Sequence, residues 1–343
     1  MEFADTKALV IGTGISGLSA VSLLERKGAQ VILFDANEKL KCADVKAKLK
    51  ADSQAQIVIG TLPEGLLDTV DLVIPSPGVP MDIPMMLEIR RREIPVWGEI
   101  ELGYRCGQGS IAAITGTNGK TTTTTLVGKI LKNYNPHTYV VGNIGMPYAD
   151  VADGMEPDAM TAAEISSFML ESIVEFHPKV SAILNITPDH LNRHHTMECY
   201  IRTKEAITTN QTNDEVCVLN YEDEVLRAFG ESAPVHVVWF SSARKLSEGF
   251  YLDGEEIFYA HDGNTEKVIN VNDLNLLGRH NYENVMAATA MSVNFGVPME
   301  KIVEVLKRFQ AVEHRIEYVT EKRGVRFYND SKGTNPDAAI KGI

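Results

Sequence analysis

The residues with the clearest capacity for chemistry sit in one loop, Gly116-Thr117-Asn118-Gly119-Lys120-Thr121-Thr122, directly after the apolar run Ile111-Ala112-Ala113-Ile114. Glycines in such a loop let backbone N–H groups turn inward on a polyphosphate. A lysine then reaches the β and γ phosphates, and a threonine hydroxyl can ligate Mg²⁺. The loop is a short form of the Walker A pattern, because Ile114 stands where that pattern has its first glycine. Its expected ligand is ATP. The cation on ATP needs further oxygen donors, and Glu164, directly after Ala162-Ala163, delivers a carboxylate to a strand end in the manner of a Walker B residue. Past another apolar run, 180–184, lies Asn185-Ile186-Thr187-Pro188-Asp189-His190, whose His190 is expected at a strand end like Glu164. His194 and His195 read as members of a solvated loop, and Lys204 as a solvated lysine on a helix over 197–207.

A second constellation lies near the N-terminus. Gly12-x-Gly14-x-x-Gly17 follows an apolar run and opens a helical pattern, and Asp35 ends the next apolar run, which satisfies the dinucleotide fingerprint in context. A diphosphate on a helix N-terminus is expected, with NAD(P), FAD and a nucleotide-sugar diphosphate as rival ligands. Ser76-Pro77-Gly78 follows a strand ending at Pro75 and reads either as the far side of that pocket or as a rigid loop.

These residues need strand ends and helix starts to hold them. The periodicity predicts strands at 7–11, 30–34, 57–59 and 71–74 with a helix at 16–27, which is a βαβ arrangement and a parallel sheet covered by helices. A second set, at 111–114, 138–141, 160–164 and 180–185, repeats the alternation. From 216 to 271 short β pieces separated by Asp253-Gly254 and Asp262-Gly263 predict a small mixed or antiparallel extension. Helices are expected at 281–291 and 299–309. Segments 315–319 and 325–328 read as a hairpin, and Asn335-Pro336 as a helix start. The fold class is α/β, with a Rossmann-like domain over 1–97, a P-loop ATPase-type α/β domain over 98–311 and the start of a third α/β domain over 312–343.

Composition narrows the function classes. The formal charge of -13 over 343 residues disfavours a nucleic-acid binder, which needs a basic face to release counterions. Four scattered cysteines without a Cys-x-x-Cys pair suggest neither a disulfide framework nor a thiolate metal site, and fit a cytoplasmic location. No apolar run is long enough to span a bilayer, so no membrane insertion is expected.

Taken in order, the phosphate loop, Glu164-Ile165-Ser166-Ser167-Phe168, Asp189-His190, Gly278-Arg279-His280-Asn281-Tyr282-Glu283-Asn284, His314-Arg315 and Asn329-Asp330-Ser331-Lys332 resemble the Mur ligases nearly end to end. The Ser-Ser-Phe after Glu164 and the stretch Gly98-Glu99-Ile100-Glu101-Leu102 favour the members that add D-glutamate. The resemblance implies ATP-dependent amide formation between UDP-N-acetylmuramoyl-L-alanine and D-glutamate through an acyl phosphate, by a monomer with small-molecule partners. It implies Lys120 on the β and γ phosphates, Thr121 and Glu164 on one Mg²⁺, His190 on a second, and a carbamylated Lys204 helping to hold the latter. ATP contacts would come from Gly116, Thr117, Asn118, Gly119, Lys120, Thr121, Thr122, Asn284 on adenine, Arg315, Asp330 and Lys332. Contacts to the UDP-linked substrate would come from Gly14, Ile15, Ser16, Asp35, Ala36, Ser76, Pro77, Gly78 and Asn143.

Asn192 and His195 depart from the family pattern, which has aspartate and glycine at those places. With only residues 312–343 past the junction, the chain is expected to hold the UDP-linked substrate but to ligate D-glutamate weakly or not at all. An NAD-dependent oxidoreductase leaves the phosphate loop and Glu164 unexplained. A folylpolyglutamate synthase-like ligase usually lacks the N-terminal fingerprint domain, and a non-catalytic nucleotide-binding regulator would not need Lys120, Glu164 and His190.

Overall fold

A computed structural model describes residues 3–310, 312, 317–336, 339 and 340; Arg315 and its neighbour His314 lie outside the described residues. In chain order the first elements are β1 (Lys7–Ile11), α1 (Ile15–Arg26), β2 (Gln30–Asp35), α2 (Cys42–Lys46), β3 (Gln56–Ile59), β4 (Leu72–Pro75), α3 (Pro84–Arg91) and α4 (Glu99–Cys106). There follow β5 (Ser110–Thr115), α5 (Lys120–Tyr134), β6 (Thr138–Gly142), α6 (Tyr148–Val151), β7 (Met160–Glu164), α7 (Ser167–Leu170), β8 (Val180–Ile183), α8 (Leu191–His194) and α9 (Met197–Glu205). The remainder is β9 (Val216–Asn220), α10 (Glu224–Gly230), β10 (His236–Ser241), β11 (Gly249–Asp253), β12 (Glu256–His261), β13 (Asn264–Asn270), α11 (Arg279–Phe295), α12 (Met299–Arg308), β14 (Glu317–Lys322) and β15 (Val325–Asn329).

The chain divides into two compact units. The first comprises Met1–Gly109, Val141–Pro157 and Ser166–Phe176, and the second Ser110–Val140, Asp158–Ile165 and His177–Ile343. In the first, β3-β2-β1-β4 form a parallel sheet. Its strands are continuous apolar runs such as Ala8-Leu9-Val10-Ile11, as expected of a sheet covered on both faces. Leu9, Ile11, Ile32, Phe34, Val73, Met86 and Ile89 build its core. Two later segments are fastened to it by side chains. Ser19 Oγ donates to Asp150 Oδ1 (2.6 Å), and the fully buried Glu101 carboxylate accepts from the backbone N–H groups of Val174, Glu175 and Phe176 at 2.9–3.0 Å and from Arg105 Nε.

The central sheet has nine strands in the order β13-β12-β11-β10-β9-β8-β5-β7-β6. The pairs β7–β5–β8–β9–β10–β11 are parallel, and β11–β12–β13 is an antiparallel meander, which is the mixed extension the turn residues announce. In the second unit α5 and α11 pack on this sheet around Ile114, Leu126, Ile130, Ala182, Val218, Met286, Ala290 and Met291. Threonines 121–124 of α5 are poor helix formers, yet all four are buried, so tertiary packing overrides propensity there. The hairpin β14–β15 forms a separate two-stranded sheet. Beyond it Asn335 O accepts from Ala339 N, the i to i+4 bond of the expected helix start. Among the described residues no helix is long and apolar enough to cross a membrane.

Candidate active site

The phosphate loop runs from the end of β5 to the start of α5. Gly116 (φ +145°) and Gly119 (φ +84°) hold backbone conformations that side chains resist. Space forbids a side chain as well, since a Cβ on Gly119 would lie 2.3 Å from Asn284 Oδ1. A neighbouring loop braces the turn: Thr117 N–H donates to Asn185 O (2.9 Å), Asn118 N–H to Asn185 Oδ1 (2.8 Å), and Asn185 Nδ2 back to Asn118 O (3.1 Å). Lys120 Nζ donates to the carbonyls of Gly116 (2.9 Å) and Thr117 (2.8 Å).

Glu164 ends β7 and is 1% exposed; its register partner on β5 is Ile114, so the carboxylate stands at the sheet edge from which the phosphate loop departs. Thr121 begins the helix on the other side of the loop. A hydroxyl and a carboxylate are hard oxygen donors that suit Mg²⁺. Among the described residues no group of three or more His, Cys, Asp or Glu side chains converges to hold a metal alone. Mg²⁺ generally keeps several waters and takes phosphate oxygens as its other ligands.

Two expectations about histidine change. His190 is not at a strand end but several residues beyond β8, half exposed in the left-handed conformation (φ +51°) that starts α8. The loop that carries it is longer than the apolar run suggests, because β8 ends at Ile183. His194 is not solvated; it is 2% exposed and packs on the ring of Tyr200, 5.2 Å away.

Lys204 is the larger correction. It is 1% exposed, and its Nζ donates to Gly116 O (2.8 Å) while lying 4.6 Å from the centre of the Tyr200 ring. Burial, with Lys120 adding to it, holds the amine's proton affinity well below that of an ordinary lysine, although Asp189 opposes the shift. Tyr200 shares this face of α9 one turn earlier, and its hydroxyl is 3.2 Å from Thr117 Oγ1. Burial pushes the Tyr200 phenol up to about 12. Sequence reasoning missed Tyr200; its spacing of four from Lys204 was the available signal.

Asn284 is buried against the loop rather than on open ground, accepting from Thr123 Oγ1 (3.3 Å) and donating to Asn281 Oδ1 (3.3 Å). A cavity of about 560 Å³ lies alongside, lined by Asn275, Leu277, Asn281, Tyr318, Arg326 and Tyr328 among others. Asp330 directly follows β15, and Lys332 is exposed two residues further on.

The fingerprint of the first unit splits into three glycine roles. A Cβ on Gly17 would lie 2.0 Å from Gly12 O, and one on Gly12 (φ +103°) 2.6 Å from Ser76 Oγ, whereas one on Gly14 meets nothing within 4 Å. The first and last glycines thus permit close packing, and the middle one leaves the backbone open to a ligand. Asp35 Oδ2 accepts from Thr13 N–H (3.0 Å) and Thr13 Oγ1 (2.7 Å), and Oδ1 from Asn37 N–H (3.0 Å), so Asp35 shapes the glycine loop. Burial opposes its ionisation, but these bonds hold its proton affinity below the usual carboxylate value. Ser76 Oγ is buried beside Gly12 and Gly17 with no hydrogen-bond partner among the described residues. Ile15 is 76% exposed at the mouth of the loop, with Ser16 and Ala36 nearby in sequence and Pro77 and Gly78 following Ser76. Asn143 is exposed in the turn after β6, also in this unit.

Comparison with known proteins identifies the family. Residues 6–98 match the family model for the Mur ligase MurD-like N-terminal domain, and residues 114–292 that for the Mur ligase middle domain. The UDP-N-acetylmuramoylalanine–D-glutamate ligase of Lachnospira eligens is 57% identical over 343 residues, all of this chain and 76% of that protein. The enzyme of the same name from Clostridioides difficile is 43% identical over 344 residues, with the same coverage. Among solved structures, UDP-N-acetylmuramate-alanine ligase MurC from Thermotoga maritima superposes with a TM-score of 0.58 at 21% identity, over 98% of this chain and 76% of that one. A pseudomurein peptide ligase type C from Methanothermus fervidus gives 0.54 at 19% identity, over 99% and 77%. The structural neighbours share the fold, and the sequence relatives decide membership: the chain belongs to the Mur ligases, in the branch of the UDP-N-acetylmuramoylalanine–D-glutamate ligases.

Proposed function

We infer that the chain is built for the ATP-dependent joining of D-glutamate to UDP-N-acetylmuramoyl-L-alanine in cytoplasmic peptidoglycan precursor synthesis. The observation that carries this reading is the convergence of Lys120, Lys204 and the Glu164 strand end on one phosphate loop. The first unit holds the UDP-linked substrate on the open backbone at Gly14, with Ser76 as a hydroxyl awaiting a partner. The second unit holds ATP, its base in the cavity between Asn281 and the hairpin tyrosines.

A carboxylate is a poor electrophile. Its oxygen attacks the γ-phosphorus, ADP leaves, and the amine of D-glutamate adds to the acyl carbon; phosphate departs with the C–O pair as the ammonium proton is lost. Lys120 and the loop N–H groups align the phosphates and offset their charge. Thr121 and Glu164 would hold one Mg²⁺ and His190 a second, and such ions would offset the charge of the phosphoryl oxygens. Lys204, a buried amine of low proton affinity, adds to CO₂ with loss of one proton, and the resulting carbamate supplies an anionic oxygen for a second ion.

Calorimetric titration with UDP-N-acetylmuramoyl-L-alanine, and separately with NADH, tests the reading. Saturable binding of the muramoyl nucleotide with no NADH response is expected. NADH binding with silence toward the muramoyl nucleotide would overturn it.

A further inference from the structure

After the β14–β15 hairpin the chain returns to the phosphate loop through one side chain. Asn335 Nδ2 donates to Asn118 Oδ1 (3.0 Å) and to Asp189 Oδ2 (3.3 Å), and Asn118 Nδ2 donates back to Asn335 Oδ1 (3.5 Å). Asn118 is anchored from behind by its two bonds to Asn185. Asp189 is anchored too, because its other oxygen accepts from His190 N–H (2.8 Å) and so stabilises the left-handed turn at His190. One amide therefore ties together three stretches far apart in sequence: the phosphate loop, the Asp189-His190 turn and the segment after the hairpin. Only an amide side chain donates and accepts at once in this way. An aspartate there would face Asp189, and an alanine would release both loops.

We propose that Asn335 is a positioning residue for the nucleotide: it holds Asn118 and the Asp189-His190 turn in the single arrangement that receives ATP. Binding then does not have to order either loop, which raises the affinity. The inference rests on the reading of residues 116–122 as the ATP site.

The test is titration of the chain with a non-hydrolysable ATP analogue and Mg²⁺, comparing Asn335→Ala, Asn118→Ala, the pair combined, and Asn335→Asp with and without Asp189→Asn. Asn335→Ala should weaken binding about tenfold, Asn118→Ala by no more than that, and the combined variant should match Asn335→Ala, because the Asn118 contact is already lost with Asn335. Asn335→Asp should bind at least as weakly, and adding Asp189→Asn should recover part of the loss by restoring a donor opposite an acceptor. Muramoyl-nucleotide affinity and Tm should stay at the parent values, which separates positioning from a general structural role. Parent-like binding by Asn335→Ala, additive losses in the combined variant, or failure of the exchange to rescue would overturn the proposal while leaving the ATP site intact. Failure of the unsubstituted chain to bind the analogue would overturn both.

Discussion

Lys120 and Lys204, carried by two different helices, donate to the same acceptor, the carbonyl of Gly116, at 2.9 and 2.8 Å. Two amines on one carbonyl cannot both keep an ordinary lysine's charge cheaply at this depth. Burial and the proximity of Lys120 act in the same direction on Lys204, which is the more enclosed of the two.

The first prediction concerns that amine. Incubation with ¹³C-bicarbonate at neutral pH should produce one carbamate carbonyl resonance, and Lys204→Met, which preserves the side-chain volume, should abolish it. A resonance that survives the substitution would assign the modification elsewhere.

Gly14 and Gly17 should respond oppositely to alanine. Gly17 lies inside α1, where alanine would ordinarily help by up to about 1 kcal/mol. Here the new Cβ would sit 2.0 Å from Gly12 O, a backbone atom that cannot step aside, so Gly17→Ala should cost about 3 kcal/mol or more in urea unfolding. Gly14→Ala meets open space, so its Tm should match the parent while affinity for the muramoyl nucleotide falls about tenfold. Equal affinity in Gly14→Ala would remove the diphosphate from that backbone.

Glu99 supplies a pH signature for the first unit. It is 2% exposed, accepts from Ala149 N–H (2.7 Å), and burial, with Asp150 nearby, raises its pKa from 4.5 to about 7. Between those values the folded protein keeps a proton that the unfolded chain releases, so stability falls as pH rises through this window and is level above it. Glu99→Gln cannot ionise. Its stability relative to the parent should improve between pH 4.5 and 7 by up to about 3 kcal/mol, measured by thermal unfolding at pH 5 and pH 8. A difference independent of pH would show that Glu99 does not titrate in the folded state.

Local signals were sufficient for the elements that carry the site. The strand over 160–164 lies where its apolar run put it, and the phosphate loop and fingerprint each sit between a strand and a helix, because an apolar run, a glycine turn and a helix start are all encoded within a dozen neighbouring residues. The D-glutamate branch was legible for the same reason, in contiguous letters such as Glu164-Ile165-Ser166-Ser167-Phe168.

Tertiary structure alone decided the surroundings of those residues. The sequence of α9 is polar enough to read as a solvated helix, and only the packing of its Tyr200–Lys204 face beneath the phosphate loop turns Lys204 into a buried amine and His194 into a core histidine. The order of β9 to β13 in one continuous sheet, and the bonds from Asn335 to Asn118 and Asp189, likewise join residues distant in the chain. Sequence periodicity reports which face of an element is apolar; it carries no record of which partner will cover that face, and that partner sets the charge and position of the groups that do the chemistry.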